Sequence, residues 1–440
     1  MKWGFYITAF VVPLSLTFST PVGTFNTPLE PFLLLLTIST LYRFFLTGID
    51  KKLIVQPLSV LVALFCTLII ASSIFSQQPV VSLRIALLTL VFIFPSYFGM
   101  LYMSTKDAYF PVRLLATTLL SFGITCALNF LEHWSYDFHR SYAPFIPEPF
   151  YSDHTIYATT AAFLFPLAFM LMIWYSKQSG RIFFYVFLFL FISCFSALLL
   201  SYSRGALVSV VIAFLLYIVI KFRIRWYFIA FCIVCALSVA LFIQEELKAQ
   251  IKSNRADSKT HDANIEDQFK SITNVNNDLS NLERINRWNS ALRMIEAMPF
   301  IGFGHGMYQY EYFPYQKPSE MTYVSIRNPQ SHYADGTGGS AHSEYLLLSS
   351  ENGIATGLIY IGILITGIVL VMRGTKKTDS SQLSNSLLIG LGMSLTTYIV
   401  HSFFNNFLDT AQVCFIFFGL LASITSIYVN IHNKPLVLHT

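Results

Sequence analysis

Hydrophobic and polar positions in this chain separate into long blocks. Apolar runs near the roughly 20 residues that carry a helix across a bilayer recur from end to end, divided by short polar breaks. Twelve runs stand out: 4–20, 29–47, 53–74, 82–104, 111–131, 155–175, 182–200, 205–220, 226–243, 346–372, 385–404 and 410–431. Most are clean Leu, Ile, Phe and Val through their middles. The pattern predicts an all-α polytopic membrane protein of about 12 transmembrane helices. The opening "MKWGFYITAFVVPLSLTFST" has only Lys2 ahead of its apolar stretch and no small-x-small cleavage site, so it predicts an uncleaved first span.

Composition agrees. Apolar residues make up 55% of the 440 and charged residues 12%, against about 25% charged in ordinary soluble domains. The net charge of +5 matters less than its placement. With the N-terminus in the cytoplasm, the loops sharing its side hold 15 cations: Lys2, Arg43, Lys51, Lys52, Lys106, Arg113, Lys177, Arg181, Lys221, Arg223, Arg225, Arg373, Lys376, Lys377 and Lys434. They face only Asp50, Asp107 and Asp379, while the short loops opposite hold Arg84, Arg140 and Arg204. The positive-inside bias therefore predicts cytoplasmic N- and C-termini. All six cysteines lie in apolar runs, which argues against zinc and disulfides. No basic, aromatic-interleaved face suggests nucleic acid.

Two outer segments are long. Residues 132–154 are aromatic and Pro-rich and read as a short interfacial cap. Residues 244–341 are long enough for a small subdomain, with ten Lys and Arg nearly balanced by twelve Asp and Glu. The expected organisation is thus spans one to nine in 1–243, a loop subdomain in 244–341, and spans ten to twelve in 342–440. Within the loop, Ile285, Trp288, Leu292 and Ile295 recur at helical spacing up to Pro299, and "GFGHG" follows as a turn.

Chemistry-bearing residues collect where helix ends meet the outer surface. Arg204 lies in "LLLSYSRGALVS", Arg284 in "ERINRWNSALRMI", and His342 in "GGSAHSEYLLLSSENG", where Glu344 and Glu351 follow it into the tenth span. Guanidinium forks hold a diphosphate and stabilise charge on it as it leaves. A neutral histidine can take a proton from an attacking hydroxyl, with Glu344 or Glu351 orienting it or shaping an acceptor site. Each residue also has a plainer reading: Arg204 snorkelling at a span end, Arg284, Arg287 and Arg293 on a solvated helix face, His342 a polar helix start. Arg84 is a further phosphate contact or another snorkelling side chain.

Three stretches, "SYSRGA", "RxxxWxxAxxMIxxxPFxGFG" and "AHSEYLLLSSENGIATG", taken in this order, resemble the signature regions of the O-antigen ligase and polymerase superfamily over roughly residues 195 to 372. The resemblance implies a GT-C-like, inverting, metal-independent glycosyltransferase of the bacterial inner membrane. Its donor would be a glycan on undecaprenyl diphosphate, used on the periplasmic face, without a cofactor. The implied acceptor is lipid A–core oligosaccharide. By resemblance, Arg204 and Arg284 grip the diphosphate and His342 is the general base. Arg287 stands where the family more often has an apolar residue, which leaves Arg284 and Arg287 as alternatives for the substrate-facing guanidinium. The residues themselves lend support to metal independence: Asp-x-Asp is absent, and the first two outer loops offer only Glu30 as an acid. Alternatives are a polymerase, a protein O-oligosaccharyltransferase and, in another class, a transporter of lipid-linked glycan. Membrane lipids are partners in every case.

Overall fold

The computed structural model describes residues 1–20, 23–48, 50–179, 181–222, 224, 279–321, 339–379 and 381–433. Among these, the expectation of an all-α polytopic membrane protein is met. Ten helices are long and apolar enough to cross a membrane. They are α2 (Leu29–Thr47), α3 (Pro57–Ile74), α4 (Pro79–Ser104), α5 (Phe110–Ser135), α6 (His154–Ser176), α7 (Arg181–Leu200), α8 (Arg204–Lys221), α10 (Glu344–Lys377), α11 (Leu383–His401) and α12 (Ala411–Asn433). Two further helices matter here, the N-terminal α1 (Lys2–Val11) and α9 (Leu279–Ala297). The expected span 226–243 lies outside the described residues.

The first expected span, 4–20, is not a continuous helix. α1 has 10 residues, about 15 Å at 1.5 Å per residue, half of the roughly 30 Å hydrocarbon layer. Pro13 ends it, because proline has no N–H for the carbonyl four residues back. That carbonyl belongs to Ala9, and Thr118 Oγ1 donates to it instead at 2.9 Å. Thr125 Oγ1 does the same for Pro13 O at 3.0 Å. Two α5 threonines thus replace backbone partners that apolar surroundings cannot supply. The chain continues as a two-stranded antiparallel hairpin, β1 (Leu16–Thr20) with β2 (Gly23–Thr27), and Thr17 N donates to Pro149 O at 2.7 Å.

α10 is also broken, by Gly353 at φ +81°. A Cβ there would lie 2.2 Å from Phe300 O. The residues after α9 fill the break: Phe303 N donates to Ser350 O (3.2 Å), Gly304 N to Glu351 O (2.7 Å), and Ile354 N to Pro299 O (2.9 Å). This explains "GFGHG". Gly302 and Gly304 both have positive φ, and a Cβ on either would come within 2.4 Å of Glu351 O or Ser76 Oγ. Two backbones meet where only glycine fits.

The largest apolar core runs through the bundle, with α12 and α11 as its most enclosed helices. A smaller cluster of Ala291, Met294, Phe303, Met307, Tyr308 and Tyr312 joins α9 and the following loop to Leu347 of α10. Of the apolar positions of α9 spaced in the sequence, Leu292 is exposed and Ile285, Trp288 and Ile295 are half-buried. Polar Glu283, Asn286, Arg287 and Ser290 share the buried face with Ala291 and Met294.

Candidate functional site

The ends of the spans that hold Ser135, His154, Leu200, Arg204, Glu344 and His401 gather at one end of the bundle, and the candidate residues lie there. His342 is not in a helical turn, as the sequence pattern suggests, but immediately precedes Ser343, the N-cap of α10. It adopts φ +51°, a left-handed conformation that costs a non-glycine residue about 1–2 kcal/mol. Neighbours hold it there: Trp288 Nε1 donates to His342 O at 3.1 Å, and the ring Nδ1 meets Asn405 Oδ1 at 3.1 Å. An amide oxygen only accepts, so Nδ1 carries the proton and Nε2 keeps its lone pair. Burial, then the charges of Arg287 and Arg284, push the imidazole down to about 4. It is neutral at neutral pH.

Arg284 Nε donates to Phe404 O at 3.2 Å, one residue from the partner of His342. Arg204 opens α8, and the next residue, Gly205, packs so closely on His401 that a Cβ would lie 2.9 Å from its ring, with Phe404 next nearest. Arg284 and His342 are therefore held on residues 404 and 405, and Gly205, next to Arg204, packs on His401. The sequence conceals this segment, since 385–404 reads as one span. α11 ends at His401, and 402–404 turn away from it. The visible signal is "NNFLD", a polar pair and an acid between two apolar runs.

Arg287 is placed differently. Its Nε donates to Glu283 Oε1 at 2.9 Å, both side chains being under 10% exposed. Nη1 reaches Ser340 O at 3.1 Å, and the guanidinium lies over the Tyr312 ring, 5.0 Å from its centroid. Arg84 is exposed on α4.

Glu344 and Glu351 do not bond His342. Glu344 Oε2 accepts from Phe407 N (2.7 Å), Leu408 N (3.2 Å) and Tyr398 OH (3.1 Å), which pins the segment that carries Asn405. Glu351 Oε1 accepts from Tyr308 N at 3.0 Å, and its Oε2 is 3.8 Å from His305 Nδ1. His305 in "GFGHG", its side chain 12% exposed, also meets Thr89 Oγ1 at 3.0 Å, and the surrounding protein pushes it down to about 4.

Glu344 and Glu351 instead line a cavity of about 360 Å³ beneath residues 305–309, walled by α3, α4, α10 and the start of α12. Ser340 and Asn406 stand in its wall and are hydrogen-bonded to each other. They tie it to His342 and Asn405, two residues and one residue away. Asp409 is exposed onto this space, and the protein around it pushes its carboxyl up to about 6.

A bundle of membrane-crossing helices with basic and titratable groups at one end defines a polytopic membrane protein with a site built at helix ends. Residues 188–361 match the family model described as O-antigen ligase. That match spans 174 of the 440 residues, and over it the chain is similar to the O-antigen ligase family. No curated protein matches the chain.

Proposed function

We propose that this protein is an O-antigen ligase. It transfers a glycan from undecaprenyl diphosphate to a hydroxyl of lipid A–core oligosaccharide on the periplasmic face of a bacterial inner membrane. The observation that carries the reading is the anchoring of Arg284 on Phe404 and of His342 on Asn405, adjacent positions of one segment.

Arg204 and Arg284 hold the donor diphosphate, their forks matching its oxygens. An acceptor hydroxyl attacks the anomeric carbon while His342 Nε2 takes its proton. The new C–O bond forms as the bond to the diphosphate breaks. Undecaprenyl diphosphate leaves with the electron pair, and its added charge falls to the guanidiniums. One displacement inverts the sugar.

An imidazole near 4 is a weak base, and the best bases lie near the working pH. Two of the causes holding it down are Arg287 and Arg284. A bound diphosphate offsets those cations, so donor binding raises the basicity of His342 before the acceptor reacts. Supporting a single chemistry for the site, its polar groups collect at one end of the bundle. A transporter would be expected to carry them at mid-membrane.

Lipopolysaccharide from a strain lacking this chain tests the assignment. A ligase predicts loss of all long glycan from the core with accumulation of lipid-linked polymer. A single repeat left on the core would make the protein a polymerase instead.

A further inference from the structure

Within the proposed transfer reaction, on which this inference rests, we propose that the cavity beneath residues 305–309 is the acceptor subsite. It takes a neutral, hydroxyl-rich sugar ring and excludes the diphosphate. At about 360 Å³ it falls within the roughly 300–1,000 Å³ typical of small-ligand pockets.

Its polar wall is built to accept hydrogen bonds. Glu344 is 2% exposed, yet its three donors all converge on Oε2, and no described residue donates to Oε1. Glu344 lines the cavity, so a donor placed there can reach its second oxygen. Glu351 is more nearly satisfied: Tyr308 N takes Oε1 and the Gly306 backbone also bonds the carboxylate, while Oε2 lies beyond hydrogen-bond reach of His305. Asp409 completes three carboxylates around one space. Sugar hydroxyls are the donors that such a wall can still take up.

The same wall does not suit a diphosphate. Neither lysine nor arginine is among the lining residues, and His305 is neutral. An anion there would find no guanidinium fork or ammonium to grip it. The rest of the lining is largely apolar, Phe65, Phe92 and Leu348 included, and suits the C–H surface of a sugar ring. Leu88, 37% exposed, marks where the cavity nears the lipid-facing side of α4, a lateral route for an acceptor that is itself a lipid. Ser340 and Asn406 in the wall are within two residues of His342 and Asn405, so a hydroxyl leaving the cavity's mouth is delivered beside the base.

Binding to the purified full chain in nanodiscs tests this without relying on turnover. The probes are a deacylated, dephosphorylated core oligosaccharide and inorganic diphosphate. The oligosaccharide should bind the wild type and bind at least about 10-fold more weakly to Gln309→Trp, which fills the cavity, and to the isosteric Asp409→Asn. Diphosphate affinity should be unchanged in both, which also reports an intact fold, and should be lost in Arg284→Ala. If Gln309→Trp loses both ligands through misfolding, Asp409→Asn alone decides. The inference is overturned by no oligosaccharide binding, by equal binding in wild type and Asp409→Asn, or by weakened diphosphate binding in Asp409→Asn. Failure of the ligase reading has a different signature: the two ligands still partition between the two sets of residues, but no glycan is transferred.

Discussion

His342 and Asn405 are joined by one hydrogen bond across 63 residues of sequence, and that bond determines which imidazole nitrogen is free. With Nδ1 donating, Nε2 is the only lone pair the ring offers. Asn405→Ala removes the acceptor that selects this tautomer. Losing such a bond costs about 1–3 kcal/mol, so kcat should fall about 10- to 100-fold. The KM for donor should stay near its wild-type value. Steady-state transfer kinetics check this.

The buried pair of Arg287 and Glu283 makes a separate prediction. Glu283→Ala takes the counter-charge from the buried Arg287 guanidinium, which costs about 3–5 kcal/mol. The melting temperature in detergent should drop clearly. Replacing both residues, with Glu283→Leu and Arg287→Met, should recover much of it, because an apolar pair carries no desolvation penalty.

Stability should also respond to pH. His342 and His305 both sit near 4 in the fold against an ordinary value of 6.5, so the unfolded chain binds more protons between those values. Their contribution is fully present above pH 6.5 and is lost as pH falls towards 4. Asp409, raised to about 6, acts in the opposite sense and contributes most at low pH. Relative to a variant lacking both imidazoles, the two histidines predict a loss of stability from about pH 6.5 to about 4.5. In the His305→Gln, His342→Gln double variant, melting curves should lose that slope.

The glycine contacts predict sharp local intolerance. Gly353→Ala forces a Cβ to 2.2 Å from Phe300 O at a φ of +81°, so a loss above about 2 kcal/mol is expected from strain and clash together. Gly48→Ala has φ +67° and ψ −175° but meets nothing within 4 Å, and should cost only the backbone strain, about 1–3 kcal/mol. Comparing the two melting temperatures separates clash from backbone strain.

Most spans are legible because an apolar block of about 20 residues has few places to go other than across a bilayer. The first is not. Hydropathy counts Pro13 and the hairpin strand Leu16–Thr20 as part of a hydrophobic run, and it cannot register that Thr118 and Thr125 supply the missing hydrogen bonds. The sequence misses part of the buried face of α9 for a related reason. Periodicity puts the apolar face inward, whereas here Glu283, Asn286 and Arg287 are buried and Leu292 is exposed. Within the candidate site, Arg204, Arg284 and His342 stand out as charged or titratable groups at span ends. Asn405 does not, since its contribution is one hydrogen bond to a residue distant in sequence. The role of "GFGHG" is equally hidden, because it lies in backbone approach to α10 and leaves no pattern in side-chain chemistry.

In the proposed reaction Arg284 holds the donor diphosphate while His342 moves the proton. Donor affinity and single-turnover transfer, measured together on wild type, Arg284→Ala and His342→Ala in nanodiscs, test that division most directly. His342→Ala should bind lipid-linked donor within about 2-fold of wild type but transfer at least about 100-fold more slowly, and Arg284→Ala should lose at least about 10-fold in donor affinity. Transfer by His342→Ala at the wild-type rate, or unchanged donor affinity in Arg284→Ala, would contradict it.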